Sequence, residues 1–88
     1  MIINIKDLKN KIIYRANYRG TKEMDKLLGS FTKKYIDSLN KEELLFLCDL
    51  LDCDDENLYK LNQGLKLTIE IKDNKVTDLF KNFKYLGE

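Results

Sequence analysis

The stretch Tyr14-Arg15-Ala16-Asn17-Tyr18-Arg19-Gly20-Thr21-Lys22-Glu23-Met24-Asp25, YRANYRGTKEMD, holds both arginines of a chain whose other basic residues are 14 lysines. It also decides the fold. Gly20 takes the backbone angles that stop a helix cheaply, and Thr21 offers a hydroxyl to the exposed N–H groups of a new one. The stretch therefore reads as the end of one helix, a turn and the start of the next.

Upstream, Ile5, Leu8, Ile12 and Ala16 recur at spacings of three and four, which predicts a helix from Ile5 to Tyr18. Downstream, Met24, Leu28, Phe31, Tyr35 and Leu39, joined by Leu27 and Ile36, predict a second helix from Thr21 to Leu39. Gly29 within it costs about 1 kcal/mol relative to alanine, which points to a close helix crossing or a slight bend. Asn40 followed by Glu43 forms a variant capping box ahead of Leu44, Leu45, Leu47, Cys48 and Leu51, so a third helix begins there. Asp54 or Asp55 caps a short fourth helix through Leu58, Tyr59 and Leu61, closed by Gly64, and the acidic run DCDDE reads as that cap.

Beyond Gly64 the pattern changes. Leu65, Leu67, Ile69 and Ile71 alternate with Lys66, Thr68 and Glu70, the period of a half-buried strand. A lone strand would leave its backbone groups unpaired, so the expectation is an extended segment lying across the helices, or one paired with a partner chain. After Asp73 and Asn74, residues Val76, Leu79, Phe80 and Phe83 resume helical spacing and predict a last helix to about Leu86. The expected fold class is all-α: one domain over residues 1–88, a small bundle of about five helices.

Hydrophobic residues make up 43% and charged residues 35% of the 88-residue chain, a balance that suits a helix-rich globule. No apolar run approaches the roughly 20 residues of a membrane span. The N-terminus lacks the pattern of a secretory signal, and Asp7 is early for an organellar transit peptide, so the expected location is the cytoplasm. Cys48 and Cys53 stand in a chain without histidine. A zinc site there would need unsupported carboxylate ligands, so reduced thiols and no metal are expected.

The formal net charge of +1 conceals a polarity. Residues 1–34 carry nine basic and three acidic side chains, and residues 35–58 carry one basic and eight acidic. Such asymmetry suggests an oriented partner surface.

Arginine presents a flat fork of donors that grips a carboxylate or phosphate at two points, and it sheds water more readily than lysine. On a helix Arg15 and Arg19 lie one turn apart, so both guanidinium groups are expected to point outward as a two-pronged basic patch. The Gly20 turn can fold Glu23 back toward Arg19. An exposed Arg19–Glu23 salt bridge would be worth only about 0–1 kcal/mol.

The run from Tyr14 to Phe31, Y-R-x-x-x-R-G-T-K-E-M-D-x-x-L-G-x-F, resembles the succinate dehydrogenase FAD-assembly factors, the SdhE family. Their R-G-x-x-E signature is matched by Arg19, Gly20 and Glu23. The segments Asp37 to Leu44 and Cys53 to Tyr59 keep the family order, whereas Leu61 and Glu56 replace a tryptophan and a proline of many relatives.

The resemblance implies a five-helix protein that binds the flavoprotein subunit of succinate dehydrogenase, or of fumarate reductase. It further implies that binding promotes covalent attachment of FAD to a histidine of that subunit. Arg15, Arg19, Gly20, Glu23 and Asp25 become the partner-binding residues, with no catalytic, cofactor-binding or metal-ligating residues. FAD would be handled on the partner without stable binding here, and the free chain would be a monomer.

The residues agree with a helper rather than an enzyme. The chain has no histidine to accept flavin, no G-x-G-x-x-G loop or P-loop, and no nucleophile with a histidine base. The alternatives are a small helical adaptor, or a nucleic-acid-binding protein using the basic N-terminal half. Against the latter, Glu23 and Asp25 open the would-be recognition helix, where they would repel phosphates.

Overall fold

Asn4 opens the first helix, its Oδ1 accepting the N–H groups of Lys6 and Asp7. The computed structural model describes residues 4–84. Helix α1, Ile5–Asn17, buries Leu8, Ile12 and Ala16 and ends with Tyr18 as its cap. Helix α2, Lys22–Tyr35, starts from Thr21, whose Oγ1 accepts the Met24 N–H at 3.3 Å.

The expected continuation of α2 to Leu39 does not occur. After Tyr35 the chain tightens into a single 3₁₀ turn, Ile36–Ser38, and Leu39 is extended at φ −92°, ψ 140°. The change has a packing reason: Ile36 and Leu39 are both buried, and the tighter winding lets both reach the core before the chain reverses. Asn40 then starts α3, Lys41–Leu50, with the reciprocal Asn40–Glu43 bonds expected from the sequence.

Helix α4, Asp55–Gln63, has Asp54 at its N-cap and the left-handed Gly64 at its C-cap. The Asp54 carboxylate accepts from the Asn57 side chain at 2.7 Å, and this bond is the first cause of its depressed pKa. Residues 65–73 form no helix or strand; the chain bends at Thr68 and Ile69, and Leu67 and Ile71 pack against the core. Helix α5, Lys75–Asn82, opens on a second reciprocal cap between Asn74 and Thr77. It ends before the expected limit, and Leu86 lies outside the described residues.

Helix α1 packs on α2 and α3, while α5 bridges α4 and α3. Between them Phe31 is fully buried and meets the rings of Phe80 and Phe83 edge-on at 5.0 and 5.5 Å. Edge-to-face pairs add about 0.5–1.5 kcal/mol to the burial itself. Gly29 marks the close crossing anticipated from the sequence. A Cβ there would collide with the Asn17 side-chain Oδ1 of α1, and α2 runs through the position without a break.

Two buried asparagines join the second half. Asn62 on α4 donates to the carbonyls of Phe80 and Phe83 at 2.9 and 2.8 Å, closing the open end of α5. Leu61 is buried beside it. The radius of gyration, 12.4 Å, matches the about 12 Å of a compact chain of this length.

Candidate partner-binding junction

The YRANYRGTKEMD stretch forms the α1–α2 junction, and its turn is built by two residues. Gly20 has φ +111°, a region that side-chain-bearing residues rarely enter, while a Cβ there would meet nothing within 4 Å. Glycine is required by the backbone angle rather than by space. Asp25, in the first turn of α2, accepts the Arg19 N–H and ties the turn down.

Arg19 does not point outward. Its side chain is 11% exposed and crosses to the α3–α4 junction. There Nε donates to Asp55 Oδ1 at 2.9 Å, Nη1 to the Leu51 carbonyl at 2.6 Å and Nη2 to the Cys53 carbonyl at 2.7 Å. Those carbonyls lie at the end of α3, where a helix leaves acceptors unpaired and carries partial negative charge. Asp55 lies in the first turn of α4, where a carboxylate is favoured. One guanidinium thus clamps two helix junctions together, a task that needs the fork of arginine.

Arg15 pairs with Asp52, but both side chains are partly exposed, 34% and 59%. In such surroundings the pair contributes about 0–1 kcal/mol. The expected two-pronged patch is therefore one part-buried clamp and one rim contact, both facing the chain's own acids. The acidic run is correspondingly more than a cap: Asp52 and Asp55 are the partners of the arginines. Lys9–Asp37 at 3.1 Å is a third pair linking the basic and acidic segments. Three of the nine basic side chains of residues 1–34 are thus paired within the chain.

Glu23 behaves differently. It is exposed and forms no ion pair among the described residues, so the anticipated Arg19–Glu23 bridge is absent. It borders a shallow depression of about 200 Å³ with Tyr59, Gln63 and Lys84, below the about 300–1,000 Å³ of small-molecule pockets. On the α1 side, Tyr14 and Tyr18 are 65% and 70% exposed, with ring centroids 4.6 Å apart. The sequence reading passed over these tyrosines, although their four-residue spacing is the signal of a stacked pair on one helix face. Tyrosine is enriched at protein interfaces because it joins a large apolar body to a polar tip.

Cys53 is half-buried and Cys48 buried, both as free thiols. Burial, followed by the neighbouring Asp54 charge, pushes the Cys53 pKa up, with Arg19 opposing. A thiol so held is a poor nucleophile. Among the described residues no group of three metal-ligating side chains comes together, and no helix is long and apolar enough to cross a membrane.

Fold and junction together define a small all-helical protein in which a part-buried arginine locks two inter-helix turns. The model of the Sdh5 family, described as flavinator of succinate dehydrogenase, matches residues 10–84, and the chain belongs to that family. The FAD assembly factor SdhE of Wigglesworthia glossinidia brevipalpis is 35% identical over 78 residues, 88% of this chain and 89% of that protein. The mitochondrial succinate dehydrogenase assembly factor 2-B of Drosophila mojavensis is 31% identical over 75 residues, 83% of this chain and 48% of that protein. An SdhE of Acetobacter pasteurianus is 34% identical over 55 residues, 62% of this chain and 50% of that protein. No solved structure matches the chain.

Proposed function

We propose that this chain is a cytoplasmic assembly factor for succinate dehydrogenase. It binds the flavoprotein subunit of that enzyme, or of fumarate reductase, and promotes covalent attachment of FAD to a histidine of the subunit. The observation that carries the reading is the family match over residues 10–84, which contains the whole α1–α2 junction. FAD is the cargo and stays on the partner. The chain's part is to bind and to favour the arrangement in which flavin and histidine meet, a gain from positioning rather than from chemistry of its own.

Within this reading the five junction residues act as one docking element with divided tasks. Arg19, Gly20 and Asp25 set the shape of the turn. Glu23, exposed and unpaired among the described residues, meets the partner, and Arg15 can exchange Asp52 for a partner carboxylate at small cost. Tyr14 and Tyr18 extend the surface with apolar area.

Co-expression with a succinate dehydrogenase flavoprotein subunit in cells lacking their own factor tests the proposal. Covalent flavin fluorescence of the subunit on a denaturing gel should rise several-fold when the chain is present. Equal fluorescence with and without the chain, for both flavoproteins, would refute it.

A further inference from the structure

Residues Leu65-Lys66-Leu67-Thr68-Ile69-Glu70-Ile71 join α4 to α5 without a helix or strand of their own. Leu67 and Ile71 rest on the core, whereas Leu65 and Ile69 are 55% and 42% exposed. The centre of the segment is pinned by Asn57, a residue 3% exposed on α4. Its Oδ1 accepts the Thr68 N–H at 2.9 Å and the Thr68 hydroxyl at 3.0 Å. The N–H groups of Leu67, Ile69 and Ile71 have no partner among the described residues.

The sequence of this segment is complementary to its own reverse. Set antiparallel to a second copy with Thr68 opposite Thr68, Lys66 faces the second copy's Glu70 and Glu70 faces its Lys66. On the other face Leu65 meets Ile71 and Leu67 meets Ile69. Opposite charges, paired apolar residues and paired threonines are the cross-strand combinations that stabilise a ladder. Centring the pairing on Ile69 would instead set Lys66 against Lys72, a like-charge pair that disfavours the slip.

The Asn57 contact fixes which backbone edge of the segment is free to face a second copy, and the Thr68-centred register is compatible with it. In an antiparallel ladder residues alternate between pairs that exchange both backbone bonds and pairs whose backbone groups point away. With the Thr68 N–H held by Asn57, Thr68 is a pair of the second kind. Leu67 and Ile69, whose N–H groups are unpartnered, then become pairs of the first kind. We propose that residues 65–71 are a self-recognition strand, through which two copies of this chain associate as a two-fold antiparallel pair centred on Thr68.

Such an interface is isologous and closes on itself, so it yields dimers rather than fibres. The apolar face of the two-stranded ribbon continues the cores that already hold Leu67 and Ile71, which covers Leu65 and Ile69. Pairing straightens the bend at Thr68 and Ile69, so association depends on concentration, and the monomer expected from the sequence is the dilute form.

Sedimentation velocity of the full chain over a wide concentration range tests the proposal. The mass should climb from 10.4 kDa toward twice that value. Lys66→Glu and Glu70→Lys alone each set like charges opposite one another twice per dimer and should weaken association about tenfold or more. The double variant restores opposite charges and should recover wild-type association within a few-fold. Lys66 and Glu70 are exposed, so the helical circular dichroism of all three variants should be unchanged. A chain that stays monomeric at the highest concentration, single swaps without effect, or a double swap without recovery would each overturn the proposal.

Discussion

Arg19 is where the sequence and the folded chain part most clearly. Its rarity and its place beside Gly20 were legible as a sign of importance. Its direction was not, because the acceptors lie more than thirty residues away, at Leu51, Cys53 and Asp55, and no local spacing encodes them. The −7 charge of residues 35–58 beside the +6 of residues 1–34 was the available clue, and it reads equally well as a partner surface. With three donors committed in a site 11% exposed, Arg19→Lys should lose about 1–3 kcal/mol, because an ammonium cannot span the same acceptors. Arg19→Ala should lose about 2–4 kcal/mol by leaving Asp55 and two carbonyls unpaired. Urea unfolding of both variants checks the order, and a stable Arg19→Ala would argue against the clamp. Gly20→Ala should cost about 1–3 kcal/mol through its backbone angle alone, measured the same way.

Among the helices, those with local signals were the most legible. The Asn40–Glu43 box and the Thr21 cap are set by side chains within one turn of each other, the Gly64 stop by its left-handed backbone angle, and each stands where the sequence places it. The end of α2 was not legible, because the apolar repeat continues through Ile36 and Leu39 while the backbone tightens beneath it. Tertiary burial decided that boundary. The alternation at Leu65–Ile71 reads as extended chain, whereas the folded segment forms no strand and bends at Thr68 and Ile69, where Asn57 holds Thr68. The capping box also carries a pH signature. The bond from the Asn40 N–H is the first cause holding Glu43 below the ordinary 4.5 of its carboxyl. A group whose folded pKa is lowered stabilises fully above its unfolded value and loses that contribution as pH falls through the folded one. The melting temperature should therefore drop as pH falls below about 4.5, and Glu43→Gln, which keeps an acceptor but does not titrate, should show a smaller drop. Identical acid profiles for the two proteins would show that the box carries none of the effect.

At the scale of the whole molecule, α1–α2 and α3–α4 present two turns joined by one guanidinium, and Glu23, Tyr14 and Tyr18 are exposed. In the proposed function this division separates stability from recognition. Residues that shape the junction, Arg19 and Gly20, should lower both melting temperature and flavinylation when changed. Glu23, exposed and without an ion pair among the described residues, should affect recognition alone. The family run was readable as a string, whereas the division of labour within it depends on which side chains the other half of the chain occupies. The central test is covalent flavin incorporation into a co-expressed succinate dehydrogenase flavoprotein subunit with the Glu23→Ala chain, read beside the melting temperature of the purified variant. The account predicts a melting temperature within about 2 °C of wild type, as for a surface change of under about 0.5 kcal/mol, together with a several-fold loss of covalent flavin. Wild-type flavin incorporation by a fully folded Glu23→Ala chain would contradict it.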